Sequence, residues 1–194
     1  MTLQEVEHRM FRAVDVSDSA ALMRQILLNE GVEDDEVLRR TPERWVDALR
    51  EMLGEGHKEW DFTLFDSDAT NMVIVGPVRF ASLCAHHLLP FFGTAHVGYI
   101  PQGKVVGLSK LARAVEFTAF GLWSQEELTD QILNTLDGRL KPRGAAVVMK
   151  AEHTCMSARG ARAHDALTTT SSMSGAFLEA TNLARTEFMS LMKV

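Results

Sequence analysis

The sequence predicts an α+β fold, an antiparallel sheet with helices on one face, preceded by an N-terminal helical arm. Three observations carry this. Apolar residues recur at helical spacing as far as about Gly56, the period changes to two from Met72, and a ribbon, helices, ribbon order follows. The expected division is a helical arm over residues 1–56 and a second domain over 57–194.

In the arm, Ser17 is placed to cap a helix whose apolar set is Leu22, Met23, Ile26 and Leu27, with Gly31 as its stop. A second helix is expected to open with Thr41 as cap and Pro42 in the first turn. It would bury Trp45, Leu49, Met52 and Leu53 and end at Gly54. The polar stretch Glu55 to Asn71 reads as a connection.

Val73 and Val75, then Val78, Phe80, Ser82 and Cys84, alternate as a strand with one buried face does. A second strand is expected from Thr94 to Ile100, a turn over Pro101 to Gly103, and a return beginning at Lys104 to Val106. A helix follows from about Ser109 to Phe120, with Leu111, Val115, Thr118 and Leu122 as its apolar set, and Gly121 breaks it. Ser124 with Glu127 three residues on forms a capping box. The helix it opens buries Leu128, Ile132, Leu133 and Leu136. From Ala145 to Cys155 a strand places Val147, Met149, Ala151, His153 and Cys155 on one face. Thr168 to Ser172 reads as its partner, and Thr181 to Met192 as a closing helix with Ala184, Phe188, Leu191 and Met192 on one side.

The 194 residues carry a formal charge of -6, which argues against a general nucleic-acid surface, because that needs clustered excess Lys and Arg. Two cysteines do not make a disulfide framework and suit a reducing cytoplasm. The first residues, Met-Thr-Leu-Gln-Glu-Val-Glu-His, carry acids and no apolar core, unlike a signal peptide. No stretch approaches the ~20 apolar residues of a membrane span.

Chemistry concentrates between Ser82 and Gly93, where Cys84, His86 and His87 precede Pro90. Cys84-x-x-His87 is a spacing at which a tight turn aims a sulfur and a ring nitrogen at one point, and Cys155 is the obvious third ligand. Two thiolates, one imidazole and an open position suit a catalytic zinc that lowers the pKa of bound water toward about 7. The plainer alternative is a small buried hydrophobe beside a hydrogen-bonded histidine pair. His153, two residues from Cys155, is a candidate acid or base, or a partly buried strand histidine with no role.

Ser109, Lys110 and Arg113 stand at a helix start, where free N–H groups favour anions; they read as a phosphate grip or as a solvated basic turn. Arg159, before Gly160, is another candidate anion contact. Gln125 and Glu126 lie in the first turn of a helix. There Glu126 is either ordinary helix electrostatics or an acceptor for two N–H groups of a guanine-like edge.

Several motifs in order closely resemble the GTP cyclohydrolase I family. They are Cys-x-His-His-Leu-Leu-Pro-Phe at 84–91, His-Val-x-Tyr-Ile-Pro at 96–101, Val-Val-Gly-Leu-Ser-Lys-Leu-Ala-Arg at 105–113, Gln-Glu-x-Leu-Thr at 125–129 and His-x-Cys-Met-x-x-Arg-Gly at 153–160. Thr-Pro-Glu-Arg at 41–44 and Arg-x-Glu-Phe at 185–188 extend the similarity. The resemblance implies a tunnelling fold, in which subunits pool their sheets into an oligomeric barrel, commonly a homodecamer with sites at subunit boundaries. It implies zinc on Cys84, His87 and Cys155, and hydrolytic opening of the guanine imidazole ring of GTP to release formate and give 7,8-dihydroneopterin triphosphate. His86 and His153 would handle protons, with Ser109 helping the ribose rearrangement. Gln125 and Glu126 would meet the guanine, and Lys110, Arg113 and Arg159 the triphosphate.

Three positions depart from the family pattern. Ala85 stands where a Glu is usual, Asp47 where a Lys is frequent, and Gly121-Leu122-Trp123-Ser124 replaces the usual approach to the guanine-binding Glu. Two further readings therefore stand beside the first. One is a paralogue acting on a less phosphorylated purine or stopping at the ring-opened product, and the other is a non-catalytic pterin- or purine-binding subunit.

Overall fold

The computed structural model describes residues 16–56, 60–181 and 183–192. The N-terminal segment read against a signal peptide lies outside them. The chain divides into two compact units, residues 1–57 and 58–194.

Among its described residues the first unit holds two helices, α1 (Val16–Asn29) and α2 (Asp35–Met52). Ser17 sits inside α1, so it is not the cap. Helix α2 begins at Asp35, well before Thr41. The Asp34 carboxylate accepts the N–H groups of Glu36 and Val37 at 2.9 and 3.0 Å, satisfying donors that the first turn leaves free. Pro42 lies within the helix and is buried there. Burial falls on Ala20 of α1 and on Leu38, Pro42 and Val46, a turn-spaced stripe of α2. Trp45 is off that stripe and 41% exposed, and Leu22 and Ile26 are exposed too, so the core set expected for this arm is shifted. Gly31 and Gly54, at φ +80° and +98°, end the helices as expected.

In the second unit the expected connection contains β1 (Leu64–Asp66), which pairs antiparallel with β4 (Lys104–Val106) in a sheet of its own. The return strand therefore does not pair with the strand before it. The main sheet runs in the order β5-β2-β3-β6-β7, built from β2 (Val73–Cys84), β3 (Pro90–Ile100), β5 (Leu122–Trp123), β6 (Gly144–His153) and β7 (Thr168–Met173). All contacts are antiparallel except the short β2–β5 pairing.

Helices α3 (Leu108–Ala119) and α4 (Gln125–Leu140) cover one face. Leu111, Val115, Leu128, Ile132 and Leu136 pack there on Phe91, Ala95, Val97, Tyr99, Val147 and Met149. Each such side chain, fully removed from water, contributes about 1.5–3 kcal/mol relative to exposure. The alternate strand residues Ile100, Ala146 and Val148 form a second cluster with Phe177, Ala184 and Phe188. Phe177 ends a 3₁₀ turn, Gly175–Phe177, and Phe188 comes from α6 (Ala184–Leu191). Gly98 admits the Phe188 ring, since a Cβ there would lie 2.6 Å from it. Leu191 is exposed rather than on the packed side of the closing helix.

The Ser124 capping box opens α4 as expected: Ser124 Oγ accepts from Glu127 N at 3.2 Å, and Glu127 Oε2 accepts from Ser124 N at 3.3 Å. Cys155 departs from expectation. Strand β6 ends at His153, and Thr154–Ser157 forms one helical turn, α5. The Thr154 hydroxyl donates to the Pro90 carbonyl at 2.6 Å, where the chain leaves the strand. Among the described residues, no helix is long and apolar enough to cross a membrane.

Candidate metal centre and adjoining histidine

The ligand turn follows β2. His87 N and Leu88 N both donate to the Cys84 carbonyl, at 3.2 and 2.9 Å, and Cys84 N donates to Leu89 O at 2.9 Å. Leu88 takes the left-handed conformation, φ +55°, that closes so tight a turn. A third strand end holds the turn in place: Ala85 N donates to Trp123 O at 3.0 Å, continuing the parallel β2–β5 pairing.

Although Cys155 has left the strand, α5 brings its sulfur back to this turn. One ligand atom each from Cys84, His87 and Cys155 lies within 4.8 Å of the others. Cys84 Sγ is 3.7 Å from His87 Nδ1. A zinc ion with S and N ligands at ~2.3 and ~2.0 Å, at a tetrahedral angle, needs them roughly 3.6 Å apart. Both cysteines are free thiols. Burial and the neighbouring Cys84 push the Cys155 thiol pKa up, with Arg159 opposing. Two thiolates this close repel, and a divalent cation removes that conflict. The Cys84–His87 spacing and the thiol and imidazole donors fit zinc. His86 Nδ1 lies 3.9 Å from the same sulfur, on the exposed side of the turn.

His153 is held on two sides. Its ring lies parallel to that of Phe91, its direct neighbour across the β3–β6 ladder, with centroids 4.6 Å apart. Its Nε2 lies 2.8 Å from Gln125 Oε1. Burial lowers the His153 pKa, and Glu126 partly offsets this. Gln125 itself is 1% exposed. Its amide nitrogen donates to Thr168 O at 3.1 Å, Thr170 Oγ1 at 3.0 Å and Met149 O at 3.4 Å.

Of the remaining expected residues, Glu126, Ser109, Arg113 and Arg159 are exposed and the Lys110 side chain is largely buried. Glu126 projects from the first turn of α4, and Ser109 and Arg113 stand on α3. Lys110 is ion-paired with Asp61. Hydrogen bonds from Lys110 and Thr63 pull the Asp61 carboxyl pKa down to about 2. Arg159 is exposed after α5. Of the unusual positions, Ala85 and Asp47 are exposed. Trp123 packs against the core, its indole N–H donating to Phe120 O at 3.0 Å.

Neither Phe91 nor Asp61 is among the site residues expected from the sequence. Phe91 reads as core until the strand register is known, and Asp61 is 49 residues from Lys110. For Phe91, aligning the two candidate strands so that both ligand cysteines meet is the one cue that would have found it.

An α+β sheet thus carries a Cys-His-Cys cluster that could hold a metal ion, with a clamped histidine two residues from one of its cysteines. The family model for GTP cyclohydrolase I matches residues 19–193, and the chain belongs to that family. It is 46% identical over 155 residues to GTP cyclohydrolase 1 of Methylococcus capsulatus, covering 78% of this chain and 83% of the relative. The protein of the same name from a Sulfurihydrogenibium species is 44% identical over 170 residues, 85% and 89% of the two chains. That of a Synechococcus strain is 45% identical over 187 residues, 92% and 81%.

Proposed function

We propose that this chain is a zinc-dependent GTP cyclohydrolase that opens the guanine imidazole ring of GTP, releases formate and forms 7,8-dihydroneopterin triphosphate. The observation that carries the reading is the convergence of Cys84, His87 and Cys155, beside His153, in a chain of this family. Zinc on those three ligands supplies Lewis acidity and a water acid enough to ionise near neutral pH.

The chain's own groups do the rest. His153 and His86 carry protons to and from the purine. Glu126 accepts two N–H bonds from the guanine edge, which fixes the ring by geometry and rejects bases lacking those donors. Lys110, Arg113 and Arg159 hold the triphosphate, with the α3 N-terminus adding its free N–H groups, and Ser109 assists at the ribose. Residues 1–56 form the helical arm and 57–194 the catalytic domain, a division supported by the two compact units. The subunits pool their sheets into the barrel of a homodecamer, and the exposed Phe92, Leu167, Leu178 and Leu183 support association. Free thiols at the site suit a reducing cytoplasm.

A second reading, action on a less phosphorylated purine, is favoured by one observation: Lys110 is already neutralised by Asp61. Incubating zinc-loaded protein with GTP, GMP, guanosine and guanine, and following formate and oxidised-pterin fluorescence, separates the readings. Formate with pterin from GTP supports the first. Formate without pterin, or only from the smaller purines, supports the second. Tight binding without turnover points to a non-catalytic subunit.

A further inference from the structure

The family pattern and the first-turn position of Gln125 place it among substrate contacts. Its surroundings assign it differently. Met149 O and Thr168 O are backbone carbonyls, which only accept hydrogen bonds. The amide group facing them must be the NH₂ end, so the Gln125 carbonyl faces His153. A carbonyl also only accepts, so the proton of that 2.8 Å contact belongs to His153 Nε2.

The amide cannot turn over without setting its oxygen against two carbonyl oxygens. Thr170 Oγ1, the third partner of the amide nitrogen, is itself tied to Thr129 Oγ1 at 2.6 Å, and Thr129 bonds back to Gln125 O at 2.7 Å. Phe91, fully buried, lies flat on the imidazole and blocks its rotation on that side. A neutral imidazole has one N–H and one lone pair. With Nε2–H committed to Gln125, Nδ1 is the lone-pair nitrogen.

We propose that Gln125 is a positioning residue: its amide, locked by Thr168, Thr170 and Met149, holds His153 as the Nε2–H tautomer and leaves Nδ1 as the ring's one proton-accepting nitrogen. Gln125 then acts on the reaction through His153, its amide nitrogen being committed to Thr168, Thr170 and Met149 and its side chain buried. The inference rests on the cyclohydrolase reading only for its kinetic consequence; the tautomer and its anchor belong to the chain itself.

The primary test is solid-state nitrogen NMR on full-length protein labelled in the histidine rings, with His153 picked out of the seven histidines by subtracting a His153→Asn spectrum. The expected result is a protonated, hydrogen-bonded Nε2 and an unprotonated Nδ1 for His153. In Gln125→Met, similar in shape without an acceptor, the Nε2–H signal should move to its non-hydrogen-bonded position. A proton on Nδ1 in the wild type, or a His153 signal untouched in the variant, overturns the proposal. No turnover is needed for this arm, so it stands even if GTP is not the substrate.

In the kinetic arm, Gln125→Met should lower kcat by about tenfold or more with KM for GTP changed less than about twofold, in line with the usual worth of a well-placed proton carrier. A raised KM with unchanged kcat would make Gln125 a substrate contact and overturn it. Should the variant not fold, the wild-type spectrum alone still decides the tautomer.

Discussion

The ring of Phe91 lies within 3° of parallel to the imidazole of His153, the two residues facing each other across antiparallel strands. Such a stack contributes about 0.5–1.5 kcal/mol beyond simple burial. Replacing Phe91 by Leu keeps most of the apolar volume and removes the flat surface. The unfolding free energy should fall by about that amount, while turnover falls further than stability accounts for and zinc content stays unchanged. Urea denaturation, steady-state kinetics and metal analysis of the same preparation check this.

Cys155 reaches the metal turn only through the short α5 turn, and the cluster has no fourth protein ligand among the described residues. Cys155→Ala should therefore take zinc from about one ion per chain to almost none and abolish turnover together. Full activity in that variant, measured beside zinc content by atomic emission, would sink the ligand assignment.

Asp61 holds Lys110 in an ion pair, and Lys110 is one of three cations assigned to the triphosphate. Asp61→Asn should lower KM for GTP by a factor of a few and leave guanosine binding unchanged, with the gain shrinking at high salt. Equal KM values for GTP in the two proteins would mean that Lys110 does not reach the phosphates.

His96 lies on β3 against the backbone of Gly76, where a Cβ would meet its ring at 2.5 Å, and burial lowers its pKa. The unfolded chain thus takes up the proton at higher pH than the folded one. Stability from neutral His96 is complete above the unfolded value of about 6.5 and is lost as the pH falls from there through the folded value. The slope cannot exceed ~1.4 kcal/mol per pH unit for one proton. His96→Gln should flatten the fall in unfolding free energy between about pH 8 and about pH 5; an unchanged profile would place the proton uptake elsewhere.

The parts of this molecule legible in the sequence are those whose signals are local. Ser124 and Glu127 form their capping box from residues three apart, and the alternation from Val73 to Cys84 marks a strand whatever its partners. The metal turn announced itself because Cys84 and His87 lie within one turn of chain. What was not legible depends on partners distant in sequence. The three-residue strands β1 and β4 exist only because Leu64 to Asp66 meets Lys104 to Val106. Pro42 was read as a helix start because its ring is best tolerated there, yet Asp34 supplies a cap and the helix runs through the proline. Cys155 fell in the right place by a different backbone, a helical turn instead of a strand. Gln125 reads as a guanine contact in the sequence because its partners, Met149, Thr168 and Thr170, lie 24 to 45 residues away.

Three consecutive residues carry an unusual share of this arrangement. The Trp123 carbonyl holds Ala85 in the metal turn, Ser124 starts the helix, and the Gln125 amide reaches His153. They form a spacer of fixed length between two halves of one site. Adding or deleting a single residue there would change its reach by about 1.5–3.4 Å, depending on whether helix or strand absorbs it. That exceeds the roughly 0.5 Å over which a hydrogen bond keeps its geometry. The distance along the chain from 123 to 125 is therefore held more strictly than the identity of the Ser124 side chain that lies between its two working ends. An indel scan through the loop should show a single tolerated length where a substitution scan at Ser124 shows several tolerated residues.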